Sequence, residues 1–373
     1  MKEKYCKIPK FRFNKFLESW KRLKYEDVIE VNSGKDYKHL EKGDIPVYGT
    51  GGYMLSVSEA ITNKDGVGIG RKGTINKPYI LKAPYWTVDT LFFCIPKNKY
   101  NLYFINAIFE RTQWERFDES TGVPSLSKLT INNIQNYFPS FDEQSAIGSL
   151  FRLLDDLLAS YKDNLANYQS LKVTMLSKMF PKVGQTVPEI RLDGFEGEWE
   201  NKILSEVTNI TMGQSPKSEN YTDNPNDYIL VQGNADIKDK QVVPRLWTTE
   251  VTKMAEIGDI ILTVRAPVGD IGKTDYNVVI GRGVAAIKGN DFIFYTLEKM
   301  KMTGFWNKFS TGSTFESISS NDIKEAIIQI PTLEEQQAIG TYFSNLDNLI
   351  NSHQEKISQL ETLKKKLLQD MFI

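Results

Sequence analysis

Two cysteines in 373 residues leave no room for a disulfide framework, and Cys6 and Cys94 cannot by themselves build a cysteine zinc site. A reducing, cytoplasmic setting fits that usage. Histidine is equally scarce. His39 falls in a polar loop with no obvious partner, and His353 lies on a helical stripe where packing explains it. No run approaches the roughly 18–20 apolar residues of a membrane span. The opening Met1–Lys10 carries charge with no apolar stretch behind it, so a secretory signal is not expected. A phosphate loop, a paired nucleophile and base, zinc-ligand spacing and the Asn/Asp-Pro-Pro-aromatic signature of adenine methyltransferases are all missing. Catalysis, a metal and a cofactor are therefore not expected in this chain.

Charge of one sign is not in excess either: 46 Lys+Arg stand against 47 Asp+Glu, a net of −1. The distribution is uneven. Residues 1–140 hold 22 basic and 15 acidic residues, net +7, and residues 141–187 hold 5 of each. Residues 188–332 hold 15 and 21, net −6, and residues 333–373 hold 4 and 6, net −2. Only the first segment offers a polyanion a favourable mean field. Any contact of the third with a polyanion has to come from local patches. The chain is too long for one core, so two or more domains are expected.

The sequence is written twice. Pro9-Lys10-Phe11-Arg12-Phe13 returns as Pro188-Glu189-Ile190-Arg191-Leu192, and Trp20 and Val28 return as Trp199 and Val207, all offset by 179. Trp114 and Phe117 return as Trp306 and Phe309, with a somewhat larger offset. Thr121-Gly122 likewise returns as Thr311-Gly312. Pro139-Ser140-Phe141-Asp142-Glu143-Gln144 returns as Pro331-Thr332-Leu333-Glu334-Glu335-Gln336, and Ala146-Ile147-Gly148 as Ala338-Ile339-Gly340. A period near 190 is a domain duplication, not a solenoid repeat.

Ser140-x-x-Glu143 and Thr332-x-x-Glu335 read as capping boxes, with the hydroxyl accepting from the third helical N–H and the glutamate reaching back to the cap residue. Each opens a long helical pattern, about 60 Å at 1.5 Å per residue. Apolar residues follow in steps of three and four: Ile147, Leu150, Leu154, Leu157, Tyr161 and Leu165 in the first helix. In the second they are Ile339, Tyr342, Leu346, Leu349, His353, Ile357 and Leu360. This is a coiled-coil seam, and its simplest burial is one helix against the other. Gly148 and Gly340 inside these helices suggest close backbone packing in both halves.

The segments before the helices hold short β-like runs followed by one helical stretch each, 101–117 and 291–309. The chain divides into a first domain (1–139), a helix with linker (140–187), a second domain (188–331) and a final helix (332–373). Gly68-x-Gly70-x-x-Gly73 has the spacing of a dinucleotide fingerprint, but Pro78 disfavours a helix after it. A glycine-rich loop that lets backbone approach a partner fits better. Arg71 and Lys72 in that loop, and Arg265 in its counterpart, suit guanine or phosphate. Tyr48, Thr50, Thr74, Lys77 and Thr121 join them as candidate DNA contacts in the first half. Gln232, Asn234, Arg245, Lys273 and Thr311 do so in the second. A solvated loop charge is the competing reading of each residue taken singly.

Two divergent domains alternating with two similar Pro-x-x-x-Glu-Gln helices resemble the specificity subunit of type I restriction–modification systems. The lead-ins Pro9–Trp20 and Pro188–Trp199 and the segment Gly258–Arg265 carry the same likeness. The resemblance implies an α+β fold: two mixed α/β target-recognition domains in pseudo-two-fold repeat, separated by two long antiparallel coiled-coil helices. It also implies a non-catalytic chain that reads a bipartite target in double-stranded DNA. Its implied partners are two methylation subunits carrying S-adenosylmethionine and two restriction subunits using ATP and magnesium, with no membrane. A coiled-coil scaffold without DNA readout is the alternative; a methyltransferase in its own right is disfavoured by the missing motifs.

Overall fold

The computed structural model describes residues 8–309 and 317–373. They fall into two compact units, Met1–Asp163 with His353–Ile373, and Asn164–Ser352. The principal elements of the first are β1 (Ile29–Ser33), β2 (Lys42–Gly49), β3 (Gly52–Val57), β4 (Gly66–Gly70), β5 (Tyr79–Leu81), β6 (Trp86–Thr87), β7 (Leu91–Pro96) and α1 (Leu102–Arg111), with the first part of α2 (Phe141–Lys178). The second contains β8 (Ile210–Met212), β9 (Tyr228–Val231), β10 (Ile260–Thr263), β11 (Ile271–Lys273), β12 (Val278–Ile280), β13 (Val284–Ile287) and α3 (Asp291–Met302). The long helix α4 (Leu333–Asp370) begins in the second unit and ends in the first. Each unit therefore holds one α/β domain, the opening half of one long helix and the closing half of the other.

The two domains share a plan. In the first, β7 lies between β1 and β4, all antiparallel, and β2 pairs parallel with β6. In the second, β13 lies between β8 and β10, and β9 pairs parallel with β12. The stretches expected to be helical end early: α1 stops at Arg111 and α3 at Met302, each followed by a 3-10 turn carrying Trp114 or Trp306. Gly304, at φ +69°, breaks the second.

The cores repeat as well. Trp20 packs edge-on to Phe104 and Phe372 (6.0 and 6.2 Å between centroids), and Trp199 packs likewise against Phe292 and Phe180 (5.5 and 5.9 Å). The Glu-Gln pair that opens each long helix fixes it to its domain. Ser140 and Thr332 accept from the Glu143 and Glu335 N–H groups at 3.4 Å, as expected of caps. The glutamates do not reach back to the cap residue. Their carboxylates, 1% exposed, are each taken bidentately by a lead-in arginine: Arg12 to Glu143 (2.7 and 2.7 Å) and Arg191 to Glu335 (2.8 and 2.7 Å). A guanidinium fork outcompetes one peptide N–H for a buried carboxylate. Gln144 donates to the Pro139 carbonyl and accepts from the Asn101 N–H, while Gln336 donates to the Pro331 carbonyl and accepts from the Asn290 side chain. Asn101 and Asn290 cap α1 and α3.

Gly148 and Gly340 sit against those same caps. A Cβ on Gly148 would collide with Asn101 Oδ1 and lie 2.9 Å from the Phe104 nitrogen; one on Gly340 would lie 2.7 Å from Asp291 Cβ. Glycine to alanine normally gains a helix about 1 kcal/mol. Here the overpacking penalty of roughly 1–3 kcal/mol exceeds that gain. Gly148→Ala is expected to lower the thermal midpoint, and a raised midpoint would show that the contact yields.

Within each unit the two helix halves run antiparallel. Tyr161 faces His353 (5.3 Å between rings), and these are equivalent positions, 192 apart, as two related helices meeting near their midpoints require. The seam differs in part from the expected stripe. Ile147, Leu154, Ile339 and Leu346 are buried, and Leu150, Tyr161, Leu165, His353, Ile357 and Leu360 are half-buried. Leu157 and Leu349 are 43% and 44% exposed, so the seam does not run through them. Phe151, Leu158, Phe343 and Ile350 are buried instead. Each helix must face its own domain as well as the other helix, and Phe151 turns toward Phe372 (5.8 Å) to do so.

A charged triad repeats beside the seam. Lys364 bridges Glu110 (2.6 Å) and Asp155 (2.5 Å); Lys172 bridges Glu298 (2.9 Å) and Asp347 (2.6 Å). Each joins both helices to the domain helix. Burial alone would push the Lys364 ammonium pKa down; Glu110 and Asp155 outweigh it and hold it above the ordinary lysine value.

Candidate nucleic-acid interface

The strand ends of each domain meet in a ridge of loops held by backbone hydrogen bonds. In the first unit the Val88 N–H donates to the Tyr48 carbonyl (3.0 Å), and the Arg71 N–H to the Thr90 carbonyl (2.8 Å). Gly73 donates to Pro124, and Leu126 donates back to Arg71. Tyr48, Thr50, Arg71, Lys72, Thr74, Lys77 and Thr121 therefore belong to adjoining loops, on the β2–β3 turn, the β4–β5 loop and the hairpin around Gly122. Tyr79 buttresses the first turn by donating to the Gly49 carbonyl (2.6 Å), and burial raises its hydroxyl pKa far above the usual value. Arg71, Lys72, Thr74, Lys77 and Thr121 are exposed.

Gly68, Gly70 and Gly73 serve this ridge and form no nucleotide fold. Gly68 and Gly70 lie in the buried strand β4, Gly73 turns at φ +87°, and no helix follows. The His39 ring packs edge-on to Trp86 (5.9 Å), so this histidine has an aromatic partner that its polar surroundings in sequence concealed.

The second unit builds the same ridge from different side chains. The Gly281 N–H donates to Val231 (2.8 Å), Val264 to Gly283 (2.9 Å) and Ile318 to Val264 (3.0 Å). These bonds align the units residue by residue: Tyr48 with Val231, Asp89 with Arg282, Thr90 with Gly283, Lys72 with Arg265 and Ser125 with Ser317. Gln232 and Asn234 lie on the turn after β9, where Asp236 accepts from the Gln232 N–H (2.7 Å). Arg245 leans on that turn, donating to the Ala235 carbonyl (2.8 Å). Thr311 lies outside the described residues.

Lys273 is a correction. It pairs with Ile260, at the other end of β10 from Arg265, and its ammonium is bound to Asp291 at the start of α3. Its charge is spent within the fold. Asp89 and Arg282 were missed, although Gly281-Arg282-Gly283 between two β-like runs was a legible signal. Among the described residues no His, Cys, Asp and Glu gather into a group that could hold a metal, and no helix is long and apolar enough to cross a membrane.

The family model of the type I restriction modification DNA specificity domain matches residues 18–191 and again residues 196–362. The chain belongs to this family. Two relatives from Methanocaldococcus jannaschii, the MjaX and MjaVIII type I restriction enzyme specificity subunits, are 28% identical over 255 residues and 22% identical over 271. These alignments cover 65% and 67% of this chain but only 60% and 64% of the relatives' own lengths. The crystal structure of the type I restriction–modification S subunit from M. genitalium is 15% identical, covers 98% of this chain and 99% of its own, and superposes with a TM-score of 0.73. That likeness concerns the fold: two mixed α/β domains and two long antiparallel helices. The first family-model match spans one domain and the whole helix that follows it, and the second spans one domain and most of its helix, so the duplicated specificity domain includes its helix.

Proposed function

We propose that this chain is the non-catalytic specificity subunit of a type I restriction–modification complex. It reads a split target in double-stranded DNA, one half with each loop ridge, and presents that DNA to two methylation subunits. S-adenosylmethionine belongs to those subunits, and ATP and magnesium to two restriction subunits; the subunit described above uses none of them. One observation carries the reading: two DNA specificity domains of one plan expose loops of different chemistry at equivalent places. A pure scaffold has no use for that combination.

The test is a domain exchange. Residues 188–332 are replaced by the corresponding domain of a relative, the chain is assembled with its methylation subunit, and methylated adenines are mapped at base resolution. One half of the methylated sequence is expected to change while the other stays. A contiguous single-element site, or a site that survives the exchange whole, would falsify the proposal.

A further inference from the structure

The acidic second domain has to hold a polyanion against its own mean charge. Its loop ridge contains one feature suited to that task. Gly281 to Val284 form a tight turn, closed by the Val284 N–H donating to the Gly281 carbonyl (3.2 Å), with Arg282 at the first corner. The turn is locked on several sides. Gly283 accepts from Val264 (2.9 Å), Gly281 donates to Val231 (2.8 Å), and the Arg282 N–H donates to Ser215 Oγ (3.1 Å). A Cβ on Gly283 would run into the Gln232 carbonyl, so the backbone has no room to differ. One residue beyond the Val264–Gly283 bond, on the two neighbouring segments, stand Arg265 and Arg282.

Both arginines are exposed, and among the described residues neither has a carboxylate within 4.0 Å. Two cations at neighbouring positions repel. Arg245, the nearby arginine of this domain, is by contrast engaged with Asp236 (3.6 Å). In the first unit the equivalent residues are Lys72 and Asp89, which carry opposite charges. The same rigid corner thus bears two guanidiniums with no carboxylate partner among the described residues in one unit, and residues of opposite charge in the other. A side chain that reads DNA must be exposed on a fixed backbone, and a guanidinium fork matches guanine O6 and N7.

We propose that Arg265 and Arg282 form the guanine-reading contact of the second unit, with Arg282 making the bidentate bond and Arg265 beside it. The proposal rests on the DNA-reading function above and names where in that domain the reading is done. The acidic background then confines DNA attraction to this corner.

The test uses the full chain assembled with its methylation subunit and a random library of double-stranded DNA, comparing wild type with Arg282→Ala. Wild type is expected to enrich a split sequence with guanine at one position of the second half. In Arg282→Ala that preference should fall about 10- to 100-fold, with the first half unchanged. The thermal midpoint should hold, because the Arg282 side chain is exposed and makes no ion pair among the described residues. Loss of affinity for all sequences alike, with base preferences intact, makes Arg282 a phosphate contact and overturns the proposal. So does a fall of several degrees in the midpoint, which marks a structural residue. A split site that is enriched but unaltered by Arg282→Ala also overturns it while leaving the DNA-reading function standing. A wild-type complex that enriches no split site overturns both.

Discussion

Arg191→Ala is expected to destabilise the second unit by about 3–5 kcal/mol, because it strands a buried carboxylate. Glu335 is 1% exposed and receives two short bonds from Arg191, which also donates to the Glu196 and Gly197 carbonyls (2.8 and 2.6 Å). One side chain therefore fastens the lead-in, the turn after it and the first turn of α4. Removing it leaves the carboxylate desolvated and unpaired, and frees the lead-in as well. The first unit offers the matched experiment in Arg12 and Glu143. The loss should be visible as a lower denaturant midpoint with an early transition assigned to the second unit. The double variant Arg191→Met with Glu335→Leu should recover much of the loss, since an apolar pair of similar volume replaces an ion pair at little net cost. A single variant that unfolds like wild type would show that water reaches Glu335.

The sequence alone revealed half of this arrangement. Arg12 and Arg191, and Glu143 and Glu335, were each visible as repeated residues, but their pairing spans 131 and 144 positions, and nothing local announces it. The glutamates instead fitted a capping box, a motif whose parts are close in sequence. The repeated triad had the same fate. Asp155 and Asp347, like Lys172 and Lys364, are offset by 192, yet charged residues on a long helix read as a solvated face until packing shows otherwise. Strands were legible as short β-like runs set off by glycine and asparagine, and Tyr79–Leu81, Tyr228–Val231 and Val284–Ile287 are such runs. The loop ridge was partly legible, because Arg71, Lys72 and Arg265 follow strand ends. Its closure was not, since Thr90 is joined to Arg71 and Lys72, and Gly283 to the Val264 that precedes Arg265, only by backbone bonds. Lys273 was misplaced for a related reason: a lysine at the end of a strand says nothing about which end of the sheet it occupies.

The seam shows the same limit in its sharpest form. Two stripes in steps of three and four fit α2 equally well, one through Leu150 and Leu157 and one through Phe151 and Leu158. Periodicity cannot choose between them. The structure chooses the second, because Phe151 meets Phe372 and Leu158 is 8% exposed, while Leu157 is left 43% exposed. Leu154 belongs to both stripes and is 7% exposed. Leu154→Lys therefore carries a charge into the core of the first unit, at a cost of several kcal/mol. The stem of lysine can reach outward and recover part of this, so the expected loss is about 3 kcal/mol or more, seen as a collapse of the first unit's unfolding midpoint. Leu157→Lys, one turn further on, should change stability by no more than about 0.5 kcal/mol. Comparable losses from the two variants would place Leu157 in the seam and return the helix to the other stripe. A large difference between them fixes the rotation of α2, and with it the face that each long helix turns toward its own recognition domain.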